Sequence, residues 1–367
     1  MNYKFGNLDY KINRYPVSTN KSLIAWNSAD ELILNYIYEN KISASNLIIY
    51  NDRFGFLASF LSDFSPSVIV DSKSQEMAIA LNLELNDIDS QNFRFYNPLD
   101  KLTTPIEFGF IKIPKSMELF RLYLEQLAEV LDENSLVICG FMTKYFTSQI
   151  LEIAKEYFYS VEQSLAVKKS RLLILKKAKS NKNKTKIIEV KLNDNVNLKQ
   201  YPGVFSSKNI DYATQFLIEH INLRETDLKV LDLGAGNGIL SYIINEKNPN
   251  CEIHLIDNSF LAIESAKLNL NGKNIHFHYD DNLKSFDDNY FDFIISNPPF
   301  HFEHETNIEI AISLFEESIK CLKPDGHLQL VANKHLNYKT HLFNMFENIE
   351  VKGENEKFII YDCFSKL

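Results

Sequence analysis

Two short segments hold residues from which chemistry could be built. Asp232-Leu233-Gly234-Ala235-Gly236-Asn237-Gly238 sets an acid and three alternating glycines between an apolar run and a stretch of helical spacing. Ser296-Asn297-Pro298-Pro299-Phe300 sets a carboxamide ahead of two prolines and an aromatic ring. The first pattern can hold a nucleotide-like cofactor, and the second can hold a planar amine beside it. Together they imply methyl transfer from S-adenosylmethionine (AdoMet) to a nitrogen.

A glycine-rich strand-to-helix turn lets a cofactor approach the backbone, and the helix start offers N–H donors. Gly234, Gly236 and Gly238 are expected to give that approach. Asp232 is placed to take the amino acid part of AdoMet, directly or through water. Asp257 ends the next apolar run, where a carboxylate can accept hydrogen bonds from both ribose hydroxyls. Asp281, with Asn282 beside it, is placed for the adenine amine. NAD enzymes use similar turns, but the Asn297 segment offers nothing suited to a hydride acceptor.

An amino group on a nucleobase is a poor nucleophile, because its lone pair is delocalised into the ring. The Asn297 side-chain oxygen can accept one of its N–H bonds and the Pro298 carbonyl the other. Two acceptors on a rigid Pro-Pro turn would aim the lone pair at the methyl carbon. Catalysis is then by positioning, in an in-line displacement, and no base is needed before the methyl arrives. Phe300 offers a flat face on which a flipped base can stack, worth about 1–3 kcal/mol, and Phe302 extends that wall.

These residues need strand ends to carry them. Lys229 to Leu233, Glu252 to Ile256, Asn274 to Tyr279, Tyr290 to Ser296, His327 to Ala332 and Phe358 to Phe364 read as strands. Gly238 to Glu246, Ser259 to Leu270 and Ile308 to Leu322 read as helices, the last stopped by Pro324 and Gly326. Alternation of this kind predicts an α/β fold with a doubly wound, mainly parallel sheet. Ligands bind outside the carboxyl ends of such strands, where the glycine turn, Asp257, Asp281 and Asn297 all fall.

The N-terminal half repeats the plan. Asn46 to Leu57 aligns with Lys229 to Leu240, Val68-Ile69-Val70-Asp71 echoes His254-Leu255-Ile256-Asp257, and Phe110 to Pro114 echoes Ile294 to Pro298. In that alignment Asn51 and Arg53 stand where Gly234 and Gly236 stand, and Ile113 replaces Asn297. The expectation is an internal duplication whose first copy is non-catalytic. The division is placed at 1–180 and 181–367, with a polar linker or hairpin tip over Ser180 to Thr185.

Net charge is −9 at pH 7, yet Ala166 to Lys186 contains nine lysines and arginines and no acid. Such a block can neutralise phosphates on an otherwise acidic protein. Lys168, Lys169 and Arg171 are its candidate contacts to a phosphate-bearing substrate. Cys139, Cys251, Cys321 and Cys363 lack zinc or redox spacing, so they are expected to be reduced and structural, and no metal site is expected. No apolar run is long enough to span a bilayer, and no signal-peptide core follows the first residues. A cytoplasmic protein with no membrane or obligate protein partner is expected.

With these motifs, the chain resembles the class I AdoMet-dependent amino-methyltransferases. More narrowly, it resembles the bacterial ribosomal RNA guanine-N2 methyltransferases with a duplicated domain. Gly203-Val204-Phe205-Ser206-Ser207 with Asp211, and Val331-Ala332-Asn333-Lys334-His335-Leu336, are similar to that group's patterns. Arg14-Tyr15-Pro16, Ala25-Trp26-Asn27-Ser28-Ala29-Asp30-Glu31, Ile113-Pro114-Lys115 and Lys168-Lys169-Ser170-Arg171-Leu172 point to the branch acting on 23S rather than 16S rRNA. Ala235 and Asp280-Asp281 depart from the group's usual Cys and Asn pair. The resemblance implies two tandem Rossmann-like domains, the first degenerate and concerned with RNA binding. It implies methylation of one guanine N2 amine in naked or partly assembled large-subunit RNA. N2 methylation of 16S rRNA is the near alternative. Glutamine N5 methylation in a protein and adenine N6 methylation in DNA also suit the Asn297 turn.

Overall fold

The computed structural model describes residues 1–18, 20, 22–43, 46–179, 187–206, 209–298, 301–302, 305–306, 308–336 and 338–364. The chain divides into two compact units, Met1–Thr185 and Lys186–Leu367.

Each unit is built on a seven-stranded sheet. In the first unit the strands lie in the order Arg94–Tyr96, Ser67–Ile69, Leu47–Tyr50, Ile106–Lys112, Leu131–Met142, Ser170–Ala178, Phe158–Gln163. In the second the order is Ile275–Tyr279, Glu252–Asp257, Lys229–Leu233, Phe291–Ser296, Leu322–Asn333, Phe358–Phe364, Asn348–Glu354. Numbered by chain order within each of these sheets, both run 3-2-1-4-5-7-6. The first five strands are parallel and the last two pair antiparallel. The expected pair of Rossmann-like domains is therefore present.

Helices cover both faces, so the central strands are apolar throughout rather than alternating. Val230, Leu231, Phe293, Ile294 and Ile295 are fully buried. Val230, Phe293 and Ile295 pack with Leu217 and Ile244 on one face, while Leu231 and Ile294 pack with Phe315 and Leu342 on the other. All four cysteines are buried and unpaired. Among the described residues no helix is long and apolar enough to cross a membrane.

The structure adds detail at three points. The fifth strand of the second unit starts at Leu322, directly after the helix Glu309–Cys321. Pro324 and Gly326 fall where its pairing jumps from Phe291–Leu322 to Phe293–His327, so they form an irregularity inside the strand. Part of the basic block Ala166 to Lys186 is regular structure, since Arg171, Lys176 and Lys177 belong to the strand Ser170–Ala178. The hairpin Ile188–Lys191/Asn197–Gln200 then opens the second unit, and residues 180–186 lie outside the described ones.

The third point concerns the repeat. Tyr50 pairs with Ile111 and with Ile69, whereas Leu233 pairs with Ser296 and with Ile256. With Tyr50 matched to Leu233, the two later echoes shift by one residue. Lys112, not Ile113, occupies the place of Asn297, and Val70, not Asp71, that of Asp257.

Candidate functional site

Strand order reverses between Lys229–Leu233 and Phe291–Ser296, and the crevice at their carboxyl ends is where this architecture binds ligands. The glycine turn leaves the first of these strands. Gly234, Gly236 and Gly238 all have left-handed φ, +76°, +56° and +81°, a conformation that disfavours side chains. A Cβ on Gly236 would meet nothing within 4 Å, so this glycine leaves open space beside the backbone. A Cβ on Gly238 would stand 3.0 Å from Leu270 and 3.2 Å from Ala266, so there packing already requires glycine. The turn's N–H groups are less available than expected. Those of Gly234 and Ala235 donate to the Ile256 carbonyl, that of Gly236 to Asp257 Oδ2 and that of Gly238 to the Ala235 carbonyl.

Asp232 is fully buried. Its Oδ2 accepts from the Ser241 amide at 3.0 Å and the Ser241 hydroxyl at 2.7 Å, tying the strand to the helix Ile239–Lys247. Its Oδ1 is buried with no partner among the described residues. Burial pushes this carboxyl up to about 7, against the hydrogen bonds from Ser241. An unpartnered acceptor of this kind suits a cationic group. Asp257 accepts from Gly236 N at 2.9 Å and Ser259 N at 2.8 Å, one on each oxygen. Burial raises its pKa, and those two hydrogen bonds oppose the rise. Each oxygen keeps a second lone pair. Asp281 and Asn282 follow the strand Ile275–Tyr279 and are partly buried. The Asn282 amide donates to Asp281 Oδ1 at 2.9 Å and to Asp280 Oδ1 at 3.2 Å.

On the other side of the crevice, Ser296 Oγ donates to the Leu233 carbonyl at 2.7 Å and locks the two strand ends together. Asn297 follows, half-buried. Its Nδ2 donates to Thr214 Oγ1 at 2.8 Å and to Asp211 Oδ2 at 3.3 Å. Asp211 caps the helix Tyr212–Glu219 through the Ala213 and Thr214 amides. Pro298 is buried. Pro299 and Phe300 lie outside the described residues, and so does the Phe302 side chain, whose backbone pairs with Glu305. The structure thus brings the glycine turn, Asp232 and Asn297 to adjacent strand ends.

Residues 1–181 match the family description "RLMG N-terminal domain", and residues 195–362 match "Methyltransferase small domain". A ribosomal RNA large subunit methyltransferase G from Psychromonas ingrahamii is 31% identical over 366 residues, covering 95% of each chain. Its counterpart from Pseudoalteromonas translucida is 30% identical, covering 98% of this chain and 97% of its own. The chain belongs to the ribosomal RNA large subunit methyltransferase G family. It is accordingly a methyltransferase. Among solved structures, the T. thermophilus 16S rRNA N2 G1207 methyltransferase in complex with AdoMet and guanosine shares the fold. Its TM-score is 0.77 at 15% identity, covering 100% of this chain and 98% of that one.

In this member of the family, the equivalent strand ends of the first unit carry side chains where the second unit has glycine. Asn51 keeps the left-handed φ of Gly234, at +58°, and its Nδ2 donates to the Lys112 carbonyl at 3.0 Å, stitching strand 1 to strand 4. Arg53, in the place of Gly236, lies 4.8 Å over the Phe54 ring. Lys112 Nζ binds Asp30 Oδ2 at 2.7 Å, and both groups are largely buried. Lys168 and Lys169 form an exposed turn with positive φ, closed by Val167–Ser170 pairing. Lys168 also binds Glu31 at 2.9 Å, so Lys169 is the less neutralised of the two. Arg171 is partly buried and its Nε is enclosed.

Elsewhere in the second unit, Glu252, His254 and His276 bring ligand-type atoms within 4.8 Å of one another toward the strand starts. Glu252 Oε1 already accepts from Tyr290 at 2.8 Å and pairs with His254 Nε2 at 3.0 Å.

Proposed function

We propose that this chain transfers the methyl group of AdoMet to the exocyclic N2 amine of a guanine in 23S rRNA. Family membership supports the class of reaction. The observation that carries the site is the anchored Asn297 amide, whose nitrogen is turned to Asp211 and Thr214. Its oxygen is thereby left for a substrate N–H.

AdoMet, when bound, supplies a methyl group made electrophilic by a positively charged sulfur. Asp232 Oδ1 would hold its amino group, Asp257 its ribose hydroxyls, and Asp281 with Asn282 its adenine amine. The open side of Gly236 gives the close approach. On the acceptor side, Asn297 Oδ1 and the Pro298 carbonyl each take one N–H of the guanine amine. That draws its lone pair out of conjugation and orients it, at the level of positioning. No residue has to remove a proton first, because the excess proton leaves to water after transfer. Phe300 and Phe302 are assigned to stacking against the flipped base. The first unit, through Lys168, Lys169 and Arg171, is assigned to RNA binding in the cytoplasm, on RNA free of most ribosomal proteins.

Incubation with tritiated AdoMet and separate 23S rRNA, 16S rRNA, DNA and release-factor substrates tests the reading. Label is expected in 23S rRNA, as N2-methylguanine. Label confined to any other substrate would overturn it.

A further inference from the structure

Asn297 does not hold its own orientation. The two ends of a carboxamide have nearly the same shape, and only the hydrogen-bond network decides which faces the substrate. Here the decision comes from the helix Tyr212–Glu219, which lies more than eighty residues upstream in the chain. Asp211 Oδ2 caps that helix through two amides and also faces Asn297 Nδ2. An ionised carboxylate accepts but cannot donate, so only the NH2 end of the amide can face it. Thr214, one turn into the same helix and nearly fully buried, takes the second N–H.

The first unit supplies an internal comparison. Its helix Ser28–Glu39 is capped by Asn27, and Asp30 stands at the third helical position, as Thr214 does in the second unit. Lys112 stands at the place of Asn297 by sheet register. The contact between the third helical position and the end of strand 4 survives, but as the Asp30–Lys112 ion pair. A site with no amine to grip keeps the helix-to-strand link and loses the presented oxygen. The link therefore has a structural form, in unit one, and a chemically specific form, in unit two.

We propose that Asp211 and Thr214 are positioning residues that fix the flip state of the Asn297 amide and so present its oxygen to the acceptor amine. This rests on the functional reading above. Removing the Thr214 hydroxyl leaves Nδ2 with the single, longer contact to Asp211, and the amide can turn its NH2 toward an incoming NH2.

The test uses the full-length enzyme with 23S rRNA. T214V, T214S and D211S are compared for kcat, KM for RNA, AdoMet affinity by calorimetry and melting temperature. D211S keeps a serine helix cap but is too short to reach Asn297. T214V and D211S should each lose roughly tenfold to hundredfold in kcat, with RNA KM and AdoMet affinity nearly unchanged, and T214S should retain wild-type turnover. Wild-type kcat in a folded T214V or D211S would overturn the proposal. So would T214S as impaired as T214V, since the lost group would then be packing rather than the hydroxyl. If T214V loses its fold, D211S against wild type decides. A wild-type protein inactive on 23S rRNA would instead bring down the functional reading, and this proposal with it.

Discussion

Replacing Asp232 with Asn should make the protein more stable and a poorer binder of AdoMet. The buried carboxyl titrates at about 7, against 3.8 for an unperturbed Asp. Its folded-state pKa is raised, so the native state binds the proton more tightly than the unfolded chain. Stability is then lost as pH rises from about 4 through about 7, and the loss is complete above that. A shift of about three pKa units corresponds to about 4 kcal/mol at pH 8. Asparagine removes this penalty and its oxygen can still accept from Ser241. Its NH2 would occupy the unpartnered Oδ1 position, where an unsatisfied donor costs about 1–3 kcal/mol. The net gain is roughly 1–3 kcal/mol, several degrees in melting temperature for a unit of this size. Below pH 4 the carboxyl is protonated in both states and that gain should vanish. The same change removes a charge-assisted contact to the ligand's amino group, about 1.5–3 kcal/mol, or roughly tenfold to hundredfold in affinity. Calorimetry in two buffers of different ionisation heat should also show wild type releasing protons on binding AdoMet near pH 7, and D232N releasing none. Denaturation at pH 5 and pH 8 completes the assay. A D232N variant that melts below wild type at pH 8 and binds AdoMet as tightly would refute the reasoning.

Asn297→Ala should abolish methylation while leaving AdoMet affinity nearly intact, measured by label incorporation and calorimetry; turnover at the wild-type rate would remove the assigned role. His327 is fully buried between Asp227 Oδ2 at 3.1 Å and Asp362 Oδ1 at 2.5 Å. Burial pulls its pKa down, but hydrogen bonds to the two carboxylates more than reverse this and leave it raised. Its contribution to stability is full below about pH 6.5 and is lost as pH rises through the folded value. His327→Gln removes the imidazolium from between two buried carboxylates that keep Arg224 and Asn222 as partners, and should cost about 1.5–3 kcal/mol at pH 6 and less at pH 9, read by urea unfolding; a pH-independent loss would contradict this. Reversing charge at Lys168, Lys169 and Arg171 together should weaken RNA binding and flatten its salt dependence. Lys168 alone should matter least, because Glu31 already pairs with it. Unchanged affinity in the triple variant, by filter binding, would remove the first unit from RNA recognition.

The strands that position the site were legible because they are buried on both faces. Val230-Leu231-Asp232-Leu233 and Phe358 to Phe364 are runs of β-formers, and the bounds expected for Lys229–Leu233 and Phe358–Phe364 coincide with the structure. The edge strand Asn348–Glu354 was not legible, since its polar–apolar alternation is short, ends at Gly353 and leaves Val351 exposed. The glycine turn and Asn297 announced themselves by residue type. Asp211 and Thr214 did not, because an ordinary cap and an ordinary threonine become part of the site only through a contact across 83–86 residues. The register of the repeat was off by one for a related reason. Similarity of side chains aligns Ile113 with Asn297, whereas pairing across the sheet aligns Lys112 with it.

That Lys112–Asp30 pair also acts as a ratchet on the first unit. Restoring an amide at Lys112 alone would strand Asp30 without its counter-charge in a dry interior, and neutralising Asp30 alone would strand the ammonium. Either first step is unfavourable by several kcal/mol, about the loss seen when one member of a buried ion pair is removed. Two simultaneous changes would be needed even before Asn51 and Arg53 gave way to glycine. No single-residue change therefore converts the first unit's ion pair into the second unit's amide.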